Sequence, residues 1–510
     1  MNVPALIFWL VIVCSFWARP GTVLVLLLAS IPFASLSLLP PEIIGGMSLL
    51  PQMMFAVVLI FKVVVPHVVT LTPKFVNALQ LRRLGYLALF LLTGIVVTLI
   101  MPRLFQGQVV VFPMKYSYMA DLLGPRQENF TQSGYVVLSV MTAFAVFFMA
   151  DEPGFTGSLL KALLAGGMVC IVTGLIDVAA ASTGMESLLT PFRNAQYALL
   201  TNASVAAGAR RVVGFAPEAS AYGPICVDFA AATGLLRTLY AEGPQRMHAT
   251  IVAISLVVMA LLSTSSTAYG GLAVLGLVYA GNWIRRAAFS SPLGQSGLMG
   301  ELLVGLGAII ALLFVMVAYS NLLNPLFDLI DELIFNKPLS DSFYERSNWN
   351  NAAWNTVAST WGLGIGFGSA RTSSWFAAVI SNTGLIGAAF LGVFLVQTFA
   401  RRSISRTPLS AELLYALKLS LVPALAMSSV DSPGPDFGIW MGVMFGAITG
   451  IAALHPVRSS IGHVTAYRPE AARTGGRWAI RSRAFDRSPH PKPHQDGGPD
   501  KPAPRPSFRT

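Results

Sequence analysis

NLLNPLFDLIDELIFNKPLSDSFYERSNWNNAAWNTVASTWGLGIGFGSAR, residues Asn321 to Arg371, is a polar stretch set between apolar runs long enough to cross a bilayer. It holds two arginines, Arg346 and Arg371, and three tryptophans, Trp349, Trp354 and Trp361. It also holds an acidic group, Asp328, Asp331 and Glu332, and glycines at every second position from Gly362 to Gly368. Working outward, the rest of the chain is greasy: 54% hydrophobic and 11% charged, where a soluble chain carries about 25% charged residues. Such a surface has to be hidden in lipid, which excludes a soluble multi-domain protein.

Apolar windows fall at 4–18, 21–39, 47–65, 84–101, 133–150, 158–181, 219–240, 248–265, 267–283, 299–319, 374–400, 411–430 and 436–454. A membrane helix needs about 20 mostly apolar residues. The expected fold is therefore all-α and polytopic, with 12–13 transmembrane helices over residues 1–455. Met1 to Trp17 lacks a basic start and a small-residue cleavage site, so it reads as a first span.

Lysine and arginine in short loops favour the cytoplasm. Arg19, Lys74, Arg82, Arg83, Arg237, Arg246, Arg285, Arg286, Arg401, Arg402 and Arg406 share one side when the spans alternate. That places the C-terminus in the cytoplasm and the loops 102–132, 182–218 and 320–373 outside, the last being large and late in the chain. Residues 456–510 read as a disordered basic tail, rich in Pro, Gly, Arg and Ser. Eleven basic residues against four acidic ones in this tail supply most of the net charge of +11. The basicity thus describes a tail and gives no sign of nucleic-acid binding. Cys14, Cys170 and Cys226 lie in apolar segments without a CxxC pair, which fits packing and not a metal site.

The outside loops hold basic residues on the disfavoured side: Arg210, Arg211, Arg346 and Arg371 among them. Arginine's planar fork holds phosphate oxygens bidentately and keeps its charge. The first constellation is ARRVVGFAPEASAYGP, Ala209 to Pro224. Glu218 stands where a helix begins. It is either an anion favoured by the helix dipole or a base and orienting partner for the arginines. Asp228, ten positions on and inside the same span, is an ionisable group in costly surroundings and a supporting candidate. The second is the opening stretch, whose tryptophans offer either sugar-stacking faces or an interfacial belt. Its alternating glycines suit a flexible backbone that approaches its neighbours closely.

With these residues in view, the chain resembles the O-antigen ligase/polymerase superfamily of bacterial envelope enzymes. The resemblance rests on the span pattern, on G-F-x-P-E-x-S at Gly214 to Ser220, and on R-x-x-W at Arg346. It rests also on G-x-G-x-G from Gly362 and G-L-I-G at Gly384 to Gly387, and it covers roughly residues 190–400. It implies action on oligosaccharides carried by undecaprenyl diphosphate at the outer face of the bacterial inner membrane. Ligases of this superfamily place a histidine ahead of the G-x-x-G; the matching position is Ser373, and no histidine lies between His248 and His455. The expectation is a repeat-unit polymerase making O-antigen, capsule or exopolysaccharide.

On that reading Arg210, Arg211, Arg346 and Arg371 contact the diphosphate. Glu218 accepts the proton, and Trp349, Trp354 and Trp361 hold saccharide. The donor carries its own leaving group, so neither metal nor cofactor is expected. Implied partners are the lipid-linked oligosaccharide, membrane lipid, a chain-length regulator and a flippase. The rival readings are a ligase, a transporter (a flippase for the lipid-linked unit or a small-anion carrier) and a non-catalytic scaffold of an export complex.

Overall fold

The computed structural model describes residues 2–40, 43, 46–115, 119–195, 205–206, 209–241, 243–289, 298–299, 341–403 and 408–454. All of them fall in one compact unit, Met1–Val457. The second unit, Arg458–Thr510, and with it the tail expected to be disordered, lies outside the described residues, as do all but the first residue of the window 299–319 and residues Asp328, Asp331 and Glu332.

The described chain is a helical bundle. Its helices are α1 (Val3–Ser15), α2 (Pro20–Ser30), α3 (Pro51–Val63), α4 (Val65–Val69), α5 (Pro73–Ala78), α6 (Tyr86–Leu104), α7 (Gln127–Met149), α8 (Phe155–Ser182) and α9 (Ala219–Leu235). After them come α10 (Pro244–Leu262), α11 (Ser266–Phe289), α12 (Asp341–Ser359), α13 (Trp375–Ala400), α14 (Pro408–Val430) and α15 (Gly438–Ala453). Seven helical stretches are long and apolar enough to cross a membrane: Pro51–Val69, Leu81–Leu104, Gln127–Met149, Phe155–Ser182, Pro244–Leu262, Trp375–Ala400 and Leu409–Val430. Helices α1, α2 and α15 are apolar but shorter. Each apolar window of the sequence except 299–319 lies on a described helix. Against the 12–13 spans expected, seven qualify among the described residues: the windows 219–240 and 267–283 lie on α9 and α11, which are not among the seven, and the window 21–39 holds a helix only to Ser30, because Pro32 and the turns after it leave the chain irregular.

Helices α7 and α15 pack closely along their lengths. Gly442, Gly446 and Gly450 recur every fourth residue and face α7; a Cβ on Gly446 would sit 2.4 Å from the Ala143 carbonyl oxygen. Small residues at this spacing let membrane helices approach where apolar burial gives no driving force.

Polar contacts fall at two ends of the bundle. At one end Ser35 N donates to Phe215 O (3.0 Å), Val212 N to Leu262 O (3.1 Å), Arg371 N to Phe112 O (2.7 Å) and Thr372 N to Pro433 O (3.1 Å). At the other, Lys62 Nζ reaches Phe16 O (2.6 Å), Arg401 reaches Arg83 O (2.5 Å) and Thr238 meets Glu412 (2.7 Å). This partition matches alternating spans. Lys418, which hydropathy places deep in its span, extends its ammonium to Phe399 O (2.9 Å) at the second end, as long cationic side chains do.

Two loops expected outside carry short antiparallel strand pairs: β1 (Val110–Val111) with β2 (Asp121–Leu122), and β3 (Val205–Ala206) with β4 (Ala209–Arg210). Of the loop expected over 320–373, the described part is α12 followed by a glycine strap.

The strap meets a break in α13. Gly384 has φ 71° and ψ 177°, so the helix is interrupted inside an apolar run. Three backbone bonds from the strap fill the gap: Ile365 N to Ser381 O (2.9 Å), Gly366 N to Asn382 O (2.9 Å) and Leu385 N to Gly362 O (2.8 Å). Backbone groups freed in hydrocarbon cost several kcal/mol each unless another segment bonds them. The fit requires glycine. Gly364 has φ +86°, and a Cβ on it would lie 2.4 Å from Gly384 N. Gly364→Ala is therefore expected to lose about 1–2 kcal/mol from conformation alone, with the clash added. Gly276→Ala, a helical site with open space around it, should be neutral or slightly stabilising. Thermal unfolding of the two variants in detergent checks both.

Candidate functional site

The strap ends at Arg371, whose place is set from several sides. Phe367 N donates to Thr98 Oγ1 (2.8 Å), and Asn129 Nδ2 donates to Phe367 O (2.7 Å) and Ser369 Oγ (2.8 Å). Arg371 N then bonds Phe112 O, beside β1. The guanidinium lies over Trp349, its Cζ 4.6 Å from the ring centroid. That is within cation–π range. Its Nε is buried and has no hydrogen-bond partner among the described residues.

Helix α12 presents Arg346, Trp349 and Asn350 on one face, at the three- and four-residue spacing of neighbouring helical positions. Asn350 exchanges two bonds with Ser373: its Oδ1 accepts from Ser373 N (3.0 Å), and its Nδ2 donates to Ser373 Oγ (2.9 Å). Arg346 Nη1 pairs with Asp431 Oδ1 at 3.2 Å, both side chains being partly exposed. Asp431 Oδ2 accepts from Thr267 Oγ1 at 3.0 Å. Three distant segments, α12, the α10–α11 turn region and the end of α14, thus meet at one point.

Glu218 caps α9 from an extended conformation, one position ahead of the first helical turn expected for it. Its carbonyl accepts from Ala221 N and Tyr222 N, and its carboxylate accepts from Ser220 Oγ. Burial lowers the Arg371 pKa from its ordinary value. The Glu218 carboxylate opposes this shift, Arg346 adds to it, and Asp431 and Glu345 oppose it. Glu218, Arg346, Arg371 and Asp431 therefore share one electrostatic neighbourhood at the end of the bundle. Two cations and at least two carboxylates act there, and the Arg371 Nε has no partner among the described residues.

The other candidates divide. Arg211 is engaged with the α10–α11 turn, its Nε donating to Thr264 Oγ1 and its Nη2 to Thr264 O, each at 3.1 Å. The side chain of Arg210 lies outside the described residues; only its backbone, in β4, is described. Trp349 is buried beneath Arg371, whereas Trp354 is half exposed and Trp361 is 89% exposed. Only the latter two offer open ring faces. Asp228 lies ten residues along α9 from Glu218, about 15 Å at the helical rise. Its Oδ1 has no partner among the described residues, and it stands apart from the Arg346–Arg371 group.

Asp431 escaped the sequence reading because it directly follows an apolar window and has no local motif. A second omission is a buried pair. Arg193 Nη2 meets Asp177 Oδ1 at 2.8 Å, with side-chain exposures of 8% and 1%. Asp177 Oδ2 accepts from Val213 N (2.8 Å) and Gly214 N (3.1 Å). This cluster clamps the segment that leads into Glu218. A buried pair broken on one side leaves an uncompensated charge, at about 3–5 kcal/mol. Asp177→Ala is expected to lower the unfolding midpoint sharply. The double variant Asp177→Ala with Arg193→Met should recover part of the loss, read by thermal unfolding of each protein in detergent.

No family model matches the chain, and no curated protein matches it.

Proposed function

We propose that the chain is a repeat-unit polymerase of bacterial surface polysaccharide, working on oligosaccharides linked to undecaprenyl diphosphate at the periplasmic face of the inner membrane. The observation that carries the reading is the Arg371 guanidinium. It is held over Trp349, its buried Nε has no partner among the described residues, and the charges of Glu218 and Arg346 act on it. A partly desolvated guanidinium in the field of a second arginine suits an anion with several oxygens, and a diphosphate has that form.

In the proposed reaction a hydroxyl at the non-reducing end of one lipid-linked unit attacks the anomeric carbon of another. The bond between that carbon and the diphosphate oxygen breaks, and the lipid diphosphate leaves with the electron pair. Arg346 and Arg371 stabilise the charge developing on the leaving group. Glu218 takes the hydroxyl proton. Asp431 holds Arg346 in place. The exposed rings of Trp354 and Trp361 suit saccharide stacking, while Trp349 supports Arg371.

Two observations weigh on the rivals. Ser373, where a ligase of the resembled superfamily has histidine, faces Asn350 and Arg346 O, so no imidazole stands at that position. A transporter reading draws on the broken helix α13, since transporters use discontinuous helices to bind ions. Here the strap's own backbone occupies the break, which favours a structural use of it.

Arg346→Ala and Arg371→Ala should each lower chain growth by about a hundredfold or more while the protein still inserts. Arg371→Lys should restore little, because an ammonium lacks the bidentate fork. Sizing of surface polysaccharide from cells carrying each variant is the measurement. Normal-length polymer from both alanine variants would overturn the proposal. Full-length polymer that is not attached to lipid A in cells lacking the protein would point to a ligase instead.

A further inference from the structure

We propose that the bundle end opposite the Arg346–Arg371 site binds the phosphate of an anionic membrane lipid, on a patch built by Arg82, Arg83, Arg401 and Arg402. The patch joins two segments far apart in sequence. One is the turn Leu81–Gly85, kinked at Arg83 (φ −116°, ψ −108°), that leads into α6. The other is the end of α13. Arg401 ties them: its Nη2 donates to Arg83 O (2.5 Å) and Arg82 O (3.3 Å), and its Nη1 to Thr398 Oγ1 (3.3 Å). Lys418, from α14, closes the same corner by donating to Phe399 O and Arg401 O.

Carbonyl oxygens, not carboxylates, accept from Arg401 and Lys418 here. Among the described residues no acidic side chain pairs with Arg82, Arg83, Arg401, Arg402 or Lys418. Asp151, on the neighbouring α7–α8 turn, pairs with Lys74 at 3.3 Å, and Glu152 stands beside it. Lys418 Nζ donates to Arg401 O, which brings its ammonium to the start of the Arg401–Arg402 pair. Burial pushes the Arg401 pKa down to about 10, which still leaves it a cation at neutral pH. Arg82 and Arg402 are exposed, and Arg83 is half buried with its guanidinium 5.8 Å from the centre of the Phe147 ring. The patch is therefore a cluster of basic residues around one fixed guanidinium, Arg401, with no carboxylate paired to it among the described residues.

The surroundings select a lipid as the source of the phosphate. Leu79, Leu81, Val396 and Phe399 are exposed next to the arginines. They continue the apolar helix surface up to the charged rim. An acyl chain laid on that surface brings its headgroup phosphate to the guanidiniums. Basic pockets between membrane helices recognise anionic headgroups in this way, and arginine's fork matches phosphate oxygens.

The test uses the full chain in bilayer nanodiscs. Adding phosphatidylglycerol to phosphatidylcholine discs should raise the unfolding midpoint by about 2 °C or more. The double variant Arg82→Gln with Arg402→Gln, altering exposed side chains only, should unfold like the wild type in neutral discs and lose most of the rise. Lys161→Gln with Arg246→Gln, basic positions at the same end but away from the patch, should keep it. No rise for the wild type, an undiminished rise in the Arg82/Arg402 variant, or equal loss in the Lys161/Arg246 control would overturn the proposal. An equal rise with inorganic phosphate in neutral discs would also overturn it, by assigning the patch to a soluble anion.

Discussion

The break in α13 at Gly384 is the constraint on which the site depends. A helix interrupted inside an apolar run exposes backbone groups that hydrocarbon cannot satisfy. The strap from Gly362 to Gly368 satisfies them: its four alternate glycines adopt positive φ, Gly362 and Gly364 approaching the break while Gly366 and Gly368 pass close to α6 and α7. The same close approach fixes the direction in which the chain leaves the strap. Arg371 is the second residue after Ser369, which Asn129 holds. The arginine thus inherits its position from a packing problem solved a few residues earlier.

Around that anchor the charges are arranged by remote partners. Arg346 and Asp431 are brought together by the packing of α12 against the ends of α13 and α14. Glu218 is aimed by the Arg193–Asp177 pair, which clamps Val213 and Gly214 just ahead of it. Both ion pairs serve position more than net stability: desolvation offsets much of the attraction in the buried Arg193–Asp177 pair, and solvent screens the partly exposed Arg346–Asp431 pair. The opposite end of the bundle is organised differently. There cations bind helix-terminal carbonyls and leave their charge unbalanced.

Much of the fold was legible because hydropathy is local. Each apolar window is a sum over neighbouring residues, and lipid imposes the helical answer on it. The side preference of lysine and arginine carried the alternation, and the two ends of the bundle divide their polar contacts accordingly. The candidate site was legible in part. Arg346, Arg371 and Glu218 stood out because charges beside apolar runs are rare, and the structure places them together. The roles of the three tryptophans were not separable in the sequence, because stacking under Arg371 and exposure at Trp361 depend on which way α12 faces. Nor could Asp431, Asp177 or Arg193 be singled out. Their partners lie on other elements or across a turn, and no local pattern marks such pairs.

The sequence by itself determined a chain that must lie in lipid, the places where its helices run, and the polar segments left between them. These follow from residue-by-residue transfer energies and need no knowledge of neighbours. Only the tertiary structure decided that the glycine run is a fixed strap and not a flexible loop, that α13 is broken, and which arginine meets which carboxylate. Those features arise from backbone and side-chain groups dozens of residues apart. Their contact exists only once the helices have packed, because each then supplies the partner that the other cannot find in hydrocarbon.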